Sequence, residues 1–146
     1  MTKDVLLSIC GIQAIDDGEN RYAGEPVEVI TPAEYYFKNG KHFLLYDEAD
    51  PEDRSVTRTT LKIADDYMSV SHQGDTQAYL RIEGKKRNAT YYATPFGSLH
   101  IVLDGRGVDV EASDHLITAQ ACYGLEINYE HVADCEVRIR ITPRDA

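Results

Sequence analysis

The segment from Asn88 to Asp104, NATYYATPFGSLHIVLD, constrains the fold of this chain more than any other. Ala89, Tyr91 and Ala93 alternate with Thr90, Tyr92 and Thr94, and beyond the Thr94-Pro95-Phe96-Gly97 corner Leu99, Ile101 and Leu103 share a face. Side chains on a strand alternate with a period of two, and Pro and Gly punctuate corners, so the segment predicts a β-hairpin. Asn39-Gly40 is a second turn signal, because a type I′ turn needs positive φ at both central residues and these two residue types tolerate it best. It sets Lys38 opposite Lys41, Phe37 opposite His42 and Tyr36 opposite Phe43.

The same grammar recurs along the chain. Extended runs are predicted over residues 4–15, 27–38, 55–64, 67–72, 77–85, 88–94, 98–103, 108–112, 115–129 and 135–142. The DEADPEDR stretch at 47–54 predicts a loop, and Asp65-Asp66 and Asp104-Gly105-Arg106-Gly107 predict hairpin turns. A short helix is allowed at 31–35 or 49–54. Short connections favour an antiparallel meander. With about ten strands, closure into a barrel removes two exposed edges and a large bare apolar face. The expectation is all-β: a meander closed into a barrel of about 8–10 strands, residues 1–146 forming one domain.

Charge and motifs narrow the function classes. Fifteen basic against twenty-five acidic residues give a net charge of −10, which repels phosphate backbones and anionic lipid; neither nucleic acid nor membrane is an expected partner. Lys85-Lys86-Arg87 reads as a solvated turn. Cys10, Cys122 and Cys135 are odd in number and lack CxxC spacing, so reduced thiols are expected, with neither a disulfide framework nor a zinc site. No apolar run is long enough to span a bilayer, and the N-terminus lacks secretory character, so a cytoplasmic protein is expected. GxSxG, GxxxxGK[ST] and HExxH are all missing, and the five histidines are scattered. The DEADPEDR acids lack the glycine and spacing of an EF-hand. No metal, cofactor or catalytic set is predicted.

Several stretches carry a resemblance: Thr60-Leu61-Lys62-Ile63, Val70-Ser71-His72-Gln73-Gly74, Thr90 to Leu99 and Ala121 to Ile127. Together they resemble the YwiB-like bacterial family over almost the whole chain. The resemblance implies a calycin-like, lipocalin-type β-barrel of unknown function in a cytoplasmic, Gram-positive style setting. The chain departs from the family at His72, where an arginine is expected.

A barrel of this size is either filled by side chains or holds one small ligand. Met68 and Val70 share a face with His72, Tyr35 and Phe37 align with Leu44 and Tyr46, and Thr90, Tyr92 and Thr94 form an uncharged polar stripe. The candidate lining is therefore Tyr46, Glu48, Thr60, His72, Thr90, Tyr92 and Thr94, a few polar groups in an otherwise apolar enclosure. The favoured function is non-enzymatic binding of a small, partly apolar molecule. The alternative is a filled barrel serving as a structural or interaction domain. An enzyme built on His72 with Glu48 or Tyr92 has no spacing that selects those partners, and nothing in the chain specifies an oligomeric state.

Overall fold

The computed structural model describes residues 3–16, 21–24, 26–49, 56–73, 78–94 and 97–144. They contain eleven strands and no helix: β1 (Asp4–Asp16), β2 (Arg21–Ala23), β3 (Val27–Lys38), β4 (Lys41–Ala49), β5 (Val56–Ile63), β6 (Tyr67–Gln73), β7 (Ala78–Glu83), β8 (Arg87–Thr94), β9 (Gly97–Ala112), β10 (Ile117–Ile127) and β11 (Glu130–Pro143). The sheet order is β7-β6-β5-β4-β3-β1-β11-β10-β9-β8, with β2 beside β1. Every ladder is antiparallel, and the first and last strands pair along their length, Val5 opposite Pro143 through Ile15 opposite Ala133. The path therefore ends on β7 and β8, which are consecutive in the chain, so the barrel is nearly closed.

Local chemistry explains the corners. Asn39 and Gly40 adopt φ of 53° and 75°, and the predicted pairs Lys38–Lys41, Phe37–His42 and Tyr36–Phe43 all form. The Tyr36 and Phe43 rings stack 4.7 Å apart and fix that register. Gly105 lies where the turn between β7 and β8 crosses β9. Its N–H donates to Lys86 O at 2.9 Å and its carbonyl accepts from Lys85 N–H at 2.9 Å. A Cβ at Gly105 would stand 1.7 Å from the Glu83 carbonyl oxygen, so only glycine permits this approach.

The structure corrects several expectations. Residues 104–107 do not turn: β9 runs unbroken from Gly97 to Ala112, and the register against β10 shifts there instead. Two nearby glycines let a strand bend through a bulge as readily as they let it reverse. Asp47, Glu48 and Ala49 belong to β4 rather than to a loop, and 31–35 is strand rather than helix. The short β2 lies outside every predicted run. The remainder of DEADPEDR and the centre of the 94–97 corner fall outside the described residues. The basic turn is solvated, as expected: Lys86 pairs with Glu83 at 3.3 Å, and Arg87 with Asp104 at 3.7 Å and with Glu126.

The core is uneven along the barrel axis. At the end bearing the Asn39-Gly40 turn, Val5, Leu7, Leu44, Leu61, Ile63, Met68, Ile117 and Ile141 are almost wholly buried and plug the interior. Toward the end bearing the β10–β11 turn, inward residues such as Ile9, Val70, Leu80, Tyr92, Leu125 and Val137 are only partly buried.

Candidate functional site

That half of the barrel is hollow. A cavity of about 740 Å³ is lined almost entirely by aliphatic and aromatic side chains of β1, β3–β11, a volume within the range of small-molecule sites. Its wall over β4–β7 is layered by register. Nearest the plug, Ile63, Met68 and Ile82 form one cross-strand row and Leu44, Leu61, Val70 and Leu80 the next; Met68, Ile82, Leu61, Val70 and Leu80 border the cavity, and Ile63 and Leu44 belong to the plug. The third row is polar, with Tyr46 opposite Thr59 and Thr59 opposite His72. At the rim Glu48 stands opposite Thr57. Alternation along β4 places Leu44, Tyr46 and Glu48 on the inner face.

The polar row is internally bonded. Thr59 is fully buried, and its hydroxyl lies 3.2 Å from His72 Nδ1. Burial pushes the Tyr46 phenol above its ordinary range, and the adjacent Glu48 carboxylate, which accepts its hydrogen bond, pushes it further. On the opposite wall Tyr123 is raised mainly by burial and secondarily by the neighbouring Cys135 thiol. These phenols therefore stay protonated at neutral pH, where they act as hydrogen-bond donors rather than bases.

The cavity opens sideways because β3 and β4 part company. They pair only from Lys38–Lys41 to Glu34–Leu45. Beyond that, β3 remains paired with β1 back to Val27, and β4 remains paired with β5 to Ala49. In a two-residue hairpin the residues flanking the turn exchange both backbone bonds, and bonded pairs recur at every second residue. Lys38, Tyr36 and Glu34 therefore face β4, and the next donor in the series falls at residue 32. That residue is proline, which has no N–H. The ladder stops there. The exposed edges Val29-Ile30-Thr31 and Asp47-Glu48-Ala49 form the two sides of the resulting portal.

Of the expected lining residues, Tyr46, Glu48, His72 and Tyr92 border the cavity. Thr60 does not: the burial pattern of β5 turns Thr59, Leu61 and Ile63 inward and leaves Thr60 outside. Thr90 shares the face of Tyr92 but does not border the cavity, and the Thr94 side chain lies outside the described residues. Tyr123, which borders the cavity, was missed, as was Thr59, which does not border it but bonds His72. Both carried a signal, since Thr59 alternates with Leu61 and Ile63, and Tyr123 alternates with Ala119, Ala121 and Leu125 along β10. No group of three metal-ligating side chains occurs among the described residues, and no helix there is long and apolar enough to cross a membrane.

Residues 8–139 match the family model of a domain of unknown function, DUF1934. Among solved structures, the crystal structure of ywiB protein from Bacillus subtilis superposes with a TM-score of 0.70 at 19% identity, covering 95% of this chain and 93% of that one. At that identity the likeness speaks for the fold. No curated protein matches.

Proposed function

The chain belongs to the DUF1934 family, and from that footing we propose that it is a non-enzymatic, calycin-like binding protein that holds a small, partly apolar molecule in the hollow half of its barrel. One observation carries the reading: the volume left unfilled. Sealed and empty, about 740 Å³ would cost on the order of 18 kcal/mol at roughly 24 cal/mol per Å³, more than the roughly 5–15 kcal/mol that stabilises an ordinary domain. The space is open through its portal, so it is solvated unless a ligand enters. Water is a poor occupant, since each molecule needs polar partners and the two rows nearest the plug offer only hydrocarbon. An apolar molecule that displaces such water gains affinity.

The chemistry present favours binding over turnover. His72 is engaged with Thr59, and the cavity phenols are held protonated. Three free cysteines suit a reducing, cytoplasmic setting. The plugged half is what supports the filled-barrel alternative.

The test is fluorescence titration with N-phenyl-1-naphthylamine, a neutral apolar probe that brightens on leaving water. Saturable binding of one probe per chain is expected. Val70→Trp, which narrows the cavity at the second row, should weaken it while the melt stays cooperative. Unsaturable binding, or a folded Val70→Trp variant that binds as the parent does, would refute the proposal.

A further inference from the structure

We infer that the ligand is a cationic amphiphile of the long-chain amine type, its alkyl body against the apolar rows and its ammonium head at Glu48. The inference rests on the ligand-site reading above and specifies the ligand class.

The layering sets the orientation. Hydrocarbon rows lie deep, the Tyr46–Thr59–His72 row lies above them, and the rim follows. A molecule that satisfies all three levels has an apolar tail and one polar head.

Charge at the rim then selects the head. Asp47 and Glu48 are the acids bordering the cavity, and no lysine or arginine borders it among the described residues. Asp47 faces outward and is neutralised by Arg58 Nη1 at 3.1 Å. Arg58 also reaches Glu34, at 3.8 Å, so this cation is already engaged outside the barrel. Glu48 is on the inner face, forms no ion pair among the described residues, and has the Tyr46 hydroxyl as its partner. An ammonium placed there gains a carboxylate, whereas a fatty-acid head would meet an unneutralised like charge in a chain whose net charge is −10. Cations find no comparable partner deeper in the cavity, so the charge also fixes which end of the ligand leads.

Displacement of N-phenyl-1-naphthylamine at pH 7 by dodecylamine, dodecanol and dodecanoate tests this. These ligands share a chain and differ in head charge. Dodecylamine should bind about 1.5- to fivefold more tightly than dodecanol, the worth of one exposed ion pair, and dodecanoate most weakly. The amine-to-alcohol ratio should shrink toward one in Glu48→Gln, and also in the unaltered protein as salt is raised from about 0.02 to 0.5 M. A ratio of one or less, tighter binding of dodecanoate than of the amine, or a preference that survives both Glu48→Gln and high salt overturns the inference while leaving the binding reading intact. Failure of all three ligands and the probe to bind overturns both.

Discussion

Replacing Gly105 by alanine probes the contact that nearly closes the barrel. The new Cβ would sit 1.7 Å from the Glu83 carbonyl oxygen, 2.6 Å from its carbon and 3.0 Å from its nitrogen. All three are backbone atoms, so no side chain can swing aside; the end of β7 or the whole of β9 must move. Overpacking of this kind costs about 1–3 kcal/mol. The movement also pulls apart the hydrogen bonds from Gly105 N–H to Lys86 O and from Lys85 N–H to Gly105 O, each 2.9 Å long and each worth about 1 kcal/mol. The total is about 3–5 kcal/mol. For a chain of this size each kcal/mol shifts Tm by roughly 2–4 °C, so a fall of roughly 6–20 °C is expected by thermal circular dichroism. Gly107 supplies the control, since its Cβ would meet nothing within 4 Å; Gly107→Ala should melt close to the parent. A Gly105→Ala variant melting within about 2 °C of Gly107→Ala would refute the close approach, because overpacking against backbone is never that mild.

Pro32→Val restores the missing donor opposite β4 and should lengthen that ladder by one bonded pair, raising stability by about 0.5–1.5 kcal/mol and slowing probe exchange in stopped-flow fluorescence; unchanged exchange would mean that ligands enter elsewhere. His42 accepts or donates a 2.8 Å bond with Tyr35 Oη, and burial holds its imidazole below the ordinary value of 6.5, against a weaker opposing pull from Asp65. Because the unfolded chain then takes up the proton more readily, the stability contributed by neutral His42 is intact above about pH 6.5 and is lost as pH falls below it. Urea midpoints measured from pH 8 to 5 should decline less steeply in His42→Gln than in the parent, and parallel curves would contradict this.

What could be read from the sequence followed the range of the interactions involved. The Asn39-Gly40 hairpin was legible to the residue because its turn chemistry and register are local. The antiparallel meander was legible because strand periodicity repeats and the connections are short. The stretch around Gly105-Arg106-Gly107 misled, since glycines serve a turn, a bulge and a close backbone contact alike, and only the third dimension distinguishes them. The site was half legible for a related reason. Tyr46 and His72 lie on strands whose apolar residues alternate toward the interior and Tyr92 on the uncharged stripe of β8, whereas choosing Thr60 over Thr59 is a slip of one residue, and with a period of two that reverses the face. The hollow itself left no mark in the sequence, because Val70, Leu80 and Val137 would read the same in a filled barrel.

Pro32 joins the fold to the proposed function. Exposed strand edges invite pairing with other chains, and this portal bares two of them, one with Val27, Val29 and Ile30 at 67%, 49% and 59% exposure. A valine or threonine at position 32 would let the β3–β4 ladder run on past Glu34–Leu45 toward Asp47 and begin to close that liability. Running on would also draw Val29-Ile30-Thr31 toward Asp47-Glu48-Ala49 and narrow the way into the apolar rows. The same proline thus leaves the edges open and the cavity accessible, two consequences that no single-residue change at 32 can separate. An occupant lying across the portal would cover Val29 and Ile30 as well as fill the space behind them. On this account any self-association of the empty protein, measured by sedimentation velocity, should weaken when ligand is added, since both depend on the same exposed strands.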